Sequence, residues 1–373
     1  MRKILLFAAA LLTVTTANAK VWRINYDDNA KADFLTITDA CTAAKVADTD
    51  TLYCEPCLHN GAAAANVISR NGMTVLGPGW GYEPNYGNTS TIPEACFANT
   101  IQITTNNVKV EGIKCNSAIY VTGLHNIVIN RCNVASISTN ARALENFTIS
   151  NSIIKGVING AVIYFSGDYS STKLHNVYIT NNIIHNLYNY SDSRPCISVE
   201  SYLRSCTYNL NILHNTIIGL AYKSDGGGVI SVTNALIQDN IIINTANQTF
   251  VMDFNNAGNV IRKNVFSLNA ENVNAVISEA YSDNYYVGAT IANTFTCKEN
   301  AKYRTEEYYL LRDDSHAKNA AYDGGDCGAF GGVSPYVICG RPQGIPYIYD
   351  VEVPAQPTDN KLRVSFKVKS QNE

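Results

Sequence analysis

Val177-Tyr178-Ile179-Thr180-Asn181-Asn182-Ile183-Ile184 and Leu210-Asn211-Ile212-Leu213-His214-Asn215-Thr216-Ile217 share one pattern: two apolar residues two apart, a two-residue break, Asn, one residue, apolar. Apolar residues two apart lie on one face of a strand, because strand side chains alternate sides. The break turns the chain, and the next strand then points its apolar residue into the same interior. The frame recurs as Val108/Val110/Ile113/Cys115, Ile127/Ile129/Cys132/Val134, Phe147/Ile149/Ser152/Ile154, Ala235/Ile237/Asn240/Ile242 and, more loosely, Asn259/Ile261/Asn264/Phe266. Starts roughly 19 to 33 residues apart suit one coil of a β-solenoid.

Asn182, Asn215, Asn240 and Asn264 hold the same place in successive copies. Asn tolerates left-handed backbone and bonds through its amide, so amides stacked at ~4.8 Å can form a column of hydrogen bonds. Cys132 and Ser152 extend that column. A third strand fits between copies at Ile119-Tyr120-Val121, Val162-Ile163-Tyr164-Phe165, Ile197-Ser198-Val199, Val229-Ile230-Ser231-Val232 and Phe250-Val251-Met252-Asp253-Phe254. The expected architecture is all-β: a right-handed parallel β-helix with three sheets.

These residues resemble the pectin-lyase-like superfamily of right-handed β-helices, in which an Asn ladder lines one tight turn. Phe34-Leu35-Thr36-Ile37-Thr38-Asp39-Ala40, leading into a helical cap, is similar to the start of bacterial members. Asp323-Gly324-Gly325-Asp326-Cys327-Gly328-Ala329-Phe330-Gly331-Gly332, followed by Pro335-Tyr336, resembles a tail of exported β-helix proteins of Bacteroidetes-type bacteria. The resemblance implies work on polysaccharides. Yet the N-T-D, paired-Asp and G-H-G signatures of polygalacturonase-like members are missing from these coils. So is the calcium-binding Asp cluster with catalytic Arg of pectate-lyase-like members.

Arg2 and Lys3, the apolar run Ile4 to Leu12 and Ala17-Asn18-Ala19 read as a signal peptide over 1–19. The run is too short to span ~30 Å of hydrocarbon. An exported protein is expected, in periplasm, at the cell surface or outside, with no membrane span. The solenoid is placed at 20–344. Residues 345–373 form a short C-terminal β segment packing on it, where Leu362, Val364, Phe366 and Val368 alternate with polar residues. A net charge of −3 argues against a nucleic-acid partner. Eleven Cys in an oxidising compartment predict structural disulfides with at least one thiol left over. Zinc at Cys54, Cys57 and Cys41 would need His59 as fourth ligand, so disulfides are favoured over metal.

Chemistry is sought on the longer coils, since insertions in repeat proteins gather function. They run from Ser166 to His175 and from Asn186 to Asn209. The second holds Tyr188, Tyr190, Asp192, Arg194, Glu200, Tyr202 and Arg204, with Cys196 and Cys206 placed to staple it. With Tyr164, the residues Tyr188, Tyr190, Arg194 and Tyr202 make a candidate ligand groove. Tyr120, Tyr164, Ser198, Glu200, Ser231 and Asp253 should face outward. Glu200 and Asp253, two coils or ~9.6 Å apart, approach the upper end of an inverting glycosidase pair at ~6.5–9.5 Å. Arg204 or Arg194 would serve as base beside a uronate. The loop Gly77 to Tyr86 either stacks on sugar or packs on the first coil, with packing favoured. His125 and His175 precede the repeat at matching positions, which suggests a turn role.

Three functions fit: a glycan-binding surface protein, a polysaccharide lyase or glycoside hydrolase with catalytic Glu200, Asp253 and Arg204, or a structural adhesin. No metal ligands are assigned. The cofactor is unknown, and calcium has no marked site.

Overall fold

The computed structural model describes residues 19–80, 94–122, 125–140, 143–156, 161–167, 173–186, 195–200, 203, 207–220, 229–245, 258–268, 283–297, 306–340, 347–352, 356, 361 and 363–369. The chain is a parallel β-helix. One sheet stacks ten strands in the order of the coils, from Val21–Ile24 through Lys173–Thr180 and Thr207–Leu213 to Val260–Arg262. The other two strand columns are joined. Lys114–Val121 and Asn133–Asn140 each run through both columns, with a register shift between Val134 and Ser136. Three columns therefore form two hydrogen-bonded sheets, where sequence spacing predicts three separate ones. The third strands at 119–121, 163–166, 197–199 and 230–231 are present; 250–254 lies outside the described residues.

The interior is built from the repeat's apolar positions. Phe147 and Ile149 lie level with Val177 and Ile179, and these with Leu210 and Ile212. All are buried in one core with Ile154, Ile184, Ile217, Phe165 and Val199. Helix Ile37–Thr42, capped by the Thr36 hydroxyl, which accepts from the Asp39 N–H, covers the first coil with Ile37, Ala40 and Cys41.

The Asn ladder is present and one step longer than its sequence signal. Asn182, Asn215 and Asn240 each donate from Nδ2 to the next Oδ1, at 3.0, 3.0 and 2.9 Å. Asn264 donates to Asn284 in turn, at 3.0 Å. The left-handed backbone belongs to the residue before each ladder position, at Arg131, Asn151, Asn181, His214, Asp239 and Lys263. The ladder amide thus holds a sharp turn formed by its neighbour, which corrects the expectation that the ladder Asn itself takes that conformation.

A second core lies outside the solenoid. Ile153, Ile183, Ile218, Ile241, Ile243 and Val265 point outward and are buried by Ala289, Phe295, Tyr309, Ala317, Cys327, Ala329 and Tyr336. The stretch resembling an exported-protein tail therefore covers a sheet face. Asn181 Nδ2 donates to the carbonyls of Ala329 and Gly331 at 3.0 and 2.7 Å. The Gly328 N–H donates to the Asp239 carbonyl at 2.8 Å. Gly328, at φ 87°, lies where a Cβ would sit 2.6 Å from Ile241 Cδ1, and Gly332, at φ 73°, lies under the His214 ring. Strands Tyr347–Glu352 and Ser365–Lys369 pair antiparallel with each other.

The expected disulfides are not found among the described residues. Cys41, Cys54, Cys57, Cys96, Cys115, Cys132, Cys196, Cys297 and Cys327 are free thiols. Cys196, expected to staple the long insertion, is buried with its thiol on the Ile218 carbonyl, and Cys206 lies outside the described residues. Small apolar thiols serve here as core filler. Native alkylation followed by peptide mass spectrometry should modify the part-exposed Cys57 and Cys297 first and leave Cys132 and Cys196 for the unfolded chain. Equal rates at all four would refute this packing.

Candidate functional site

Asn107, just before strand Lys109–Glu111, and Asn126, Asn146, Asn176 and Asn209, inside the next strands of the first sheet, each have φ between 54° and 58°. Asn pays less than other side chains for this backbone. The kink turns each amide toward solvent, where the five form a second ladder. Asn126 donates to Asn107 at 2.7 Å, Asn146 to Asn126 at 2.9 Å, Asn176 to Asn146 at 3.1 Å and Asn209 to Asn176 at 2.8 Å. Asn107 in turn donates to Asn71 at 2.9 Å. Its signal was in the sequence: Asn stands immediately before the first apolar residue of several copies.

Two outward rows flank this ladder. On one side His125, Glu145, His175 and Tyr208 lie level on consecutive strands. The turn role expected for His125 and His175 therefore gives way to places on a sheet face. On the other side run Val128, Thr148, Tyr178 and Asn211. Tyr208 is 54% and Tyr178 37% exposed. Asn209 Nδ2 reaches the Tyr178 hydroxyl at 3.5 Å and Asn211 Nδ2 donates to Asn209 Oδ1 at 2.9 Å, so ring and ladder are tied together. Next in, Ser150 donates to Asn130 and Asn130 to Glu111, both at 3.0 Å. The face is largely polar and repeats at the strand spacing of ~4.8 Å.

Of the sequence-predicted site residues, two are described. Tyr164 lies level with Ser138 on one side and Ser198 on the other, part-exposed on the third column. Tyr120, Tyr164, Ser198 and Ser231 occupy one register row; the first three are part-exposed, as expected of outward residues, whereas Ser231 is buried. Glu200 follows that strand, its N–H donating to the Phe165 carbonyl at 3.1 Å. Asp253, Arg204, Tyr188, Tyr190, Arg194 and Tyr202 lie outside the described residues. The structure thus describes neither the carboxylate pair nor the groove proposed from sequence.

Trp80 is buried, but in the outer core beneath the C-terminal cover rather than on the first coil, its indole N–H donating to Glu306 Oε1 at 2.7 Å; residues 81–86 of that loop lie outside the described residues. Beside it, burial lowers the Lys155 ammonium pKa, and burial together with Lys155 brings His185 down to about 4. His185 is therefore a neutral imidazole, and its Nδ1 finds no hydrogen-bond partner among the described residues. These groups lie where the C-terminal cover meets the sheet, with the His185 ring 6.3 Å from that of Tyr309. Cys57 Sγ and His59 Nε2 are 3.3 Å apart, but Nε2 also faces the Glu55 carbonyl at 3.1 Å. No group of three His, Cys, Asp or Glu among the described residues has the spacing of a metal site. No described helix is long and apolar enough to cross a membrane.

No family model matches the chain, and no curated protein matches it. Among solved structures it is similar to a mutant of the PL6 family alginate lyase AlyGC, at 11% identity and a TM-score of 0.23. The match covers 78% of this chain and 57% of that one, so the chain spans little more than half of that protein.

Proposed function

We propose that this chain is an exported β-helix protein that binds an extended polysaccharide along the outer face of its first sheet. One observation carries the reading: Tyr178 and Tyr208 stand exposed beside a hydrogen-bonded ladder of solvent-facing amides. Rings present apolar faces to sugar, and fixed amides bond hydroxyls without an ordering cost. A glycan lying along the solenoid axis would meet a similar polar group at every coil. Export is supported by the basic, apolar and A-x-A succession at residues 2–19.

Affinity electrophoresis and calorimetry of the purified chain against a polysaccharide panel test the reading. At least one glycan should bind, and the Tyr178→Ala/Tyr208→Ala double variant should weaken it about tenfold. Absence of binding across the panel, or an unchanged constant in the double variant, would sink it. Unsaturated uronate absorbance and reducing ends, followed in the same samples with Glu200→Gln alongside, report catalysis. Turnover lost in that variant would replace the binding reading with an enzyme.

A further inference from the structure

Glu145 stands between two imidazoles on neighbouring strands. Its Oε2 is 3.2 Å from His125 Nδ1 and its Oε1 3.2 Å from His175 Nδ1. The parallel register places the three level, so the contacts follow from the stacking of the coils. All three side chains are between 42% and 48% exposed. They border the outer Asn ladder, one strand from Tyr208.

We propose that the His125–Glu145–His175 row is a pH gate on this binding face, making it more positive as pH falls and so controlling capture of a charged glycan. This rests on the glycan-binding reading. Imidazole is the side chain that ordinarily changes charge between about pH 5 and 8. With both rings neutral the row carries the single negative charge of Glu145. With both protonated it carries a net positive charge, and each ring pairs with one carboxylate oxygen.

The neighbouring strands add little that opposes this swing. On Lys173–Thr180 the described titratable groups facing outward are Lys173 and Tyr178, besides His175 itself. On Thr207–Leu213 there is Tyr208. On Lys109–Glu111, Lys109 and Glu111 form an ion pair with each other. Glu145 is the titratable group that Ala143–Ser150 contributes, and His125 the one from His125–Asn130. Lys173, exposed at the end of its strand, adds a fixed positive charge. The sign follows: as pH falls the face gains positive charge and holds a carboxylate- or sulfate-bearing chain more tightly, while an uncharged chain is indifferent.

The experiment titrates the full chain with polygalacturonate and with the same polymer reduced at its carboxylates, at about pH 5 and about pH 8 and constant ionic strength. The charged polymer should bind up to about fivefold more tightly for each imidazolium formed, and the reduced polymer equally at both. His125→Gln/His175→Gln, which keeps a donor to Glu145 at solvent-facing positions, should flatten the dependence; circular dichroism verifies its fold. Binding without pH dependence, or a dependence surviving in the double variant, overturns the gate and leaves glycan binding standing. Failure of every glycan at both pH values overturns both.

Discussion

Replacing Asn215 with Leu is expected to lower stability by about 3 to 5 kcal/mol, among the larger effects a single substitution produces. Asn215 is fully buried, and its amide serves three levels of the solenoid at once. Nδ2 donates to the Ile179 carbonyl at 2.7 Å and to Asn240 Oδ1 at 3.0 Å. Oδ1 accepts from the Asn182 main-chain N–H at 2.9 Å and from Asn182 Nδ2 at 3.0 Å. Leu fills the space but returns none of these bonds. Buried donors and acceptors are then orphaned in two neighbouring coils, each at about 1–3 kcal/mol. Urea and thermal unfolding by circular dichroism measure the loss. A change below about 1 kcal/mol would mean that the ladder is not a main support of the coil. Substituting the solvent-facing Asn146 by Asp should cost far less, because water replaces what its amide loses.

Asp239→Asn is expected to loosen the C-terminal cover. Asp239 is 1% exposed at the turn. Its carboxylate accepts from Gln238 Nε2 and the Tyr322 N–H, both at 2.7 Å, and lies 3.3 Å from His214 Nε2. Burial pushes its pKa up, but the bonds from His214, Gln238 and Tyr322 outweigh burial and hold it below the usual value. An amide there turns a donor toward at least one of these donors, at about 2–4 kcal/mol. The linkage has a definite sign. A carboxyl whose pKa is depressed on folding contributes stability above its unfolded pKa, and that contribution is lost as pH falls through the folded value. The deficit of the variant against the native chain should therefore be full near neutrality and shrink in acid. Limited proteolysis over 289–340, with melting temperature against pH, reads both effects. A constant deficit at all pH values would contradict the assignment.

The inner ladder and the C-terminal cover differ in how far the sequence reveals them. The solenoid was legible because its cause is local and repeated. Val177/Ile179 and Ile184 must share an interior once strand alternation and a two-residue turn are granted. The inner ladder was legible for the same reason, since four Asn fall at one offset. The left-handed residue was misplaced by one, because offset alone does not tell the bonding amide from the residue whose backbone makes the bend.

The sequence also carries a mark of the outer cover. Ile183-Ile184, Ile217-Ile218 and Ile241-Ile242-Ile243 are consecutive apolar residues, the mark of a strand buried on both faces. Among the described residues the expected disulfides are missing, because cysteine count and compartment say nothing about which thiols point into one core.

By itself, then, the sequence determined the stacked parallel coils, the buried Asn column, the N-terminal helical cap and the outward row of Tyr120, Tyr164 and Ser198. Each follows from periodicity within a few residues. Only the tertiary structure decided that residues 289–297 and 306–336 seal a sheet face, that Asp239 pins the latter stretch, and that His125, Glu145, His175 and Tyr208 form one row beside a second ladder. The reason is register. Coils of unequal length bring distant residues level, and which residues come level is fixed by strand pairing, to which sequence spacing is blind wherever insertions intervene.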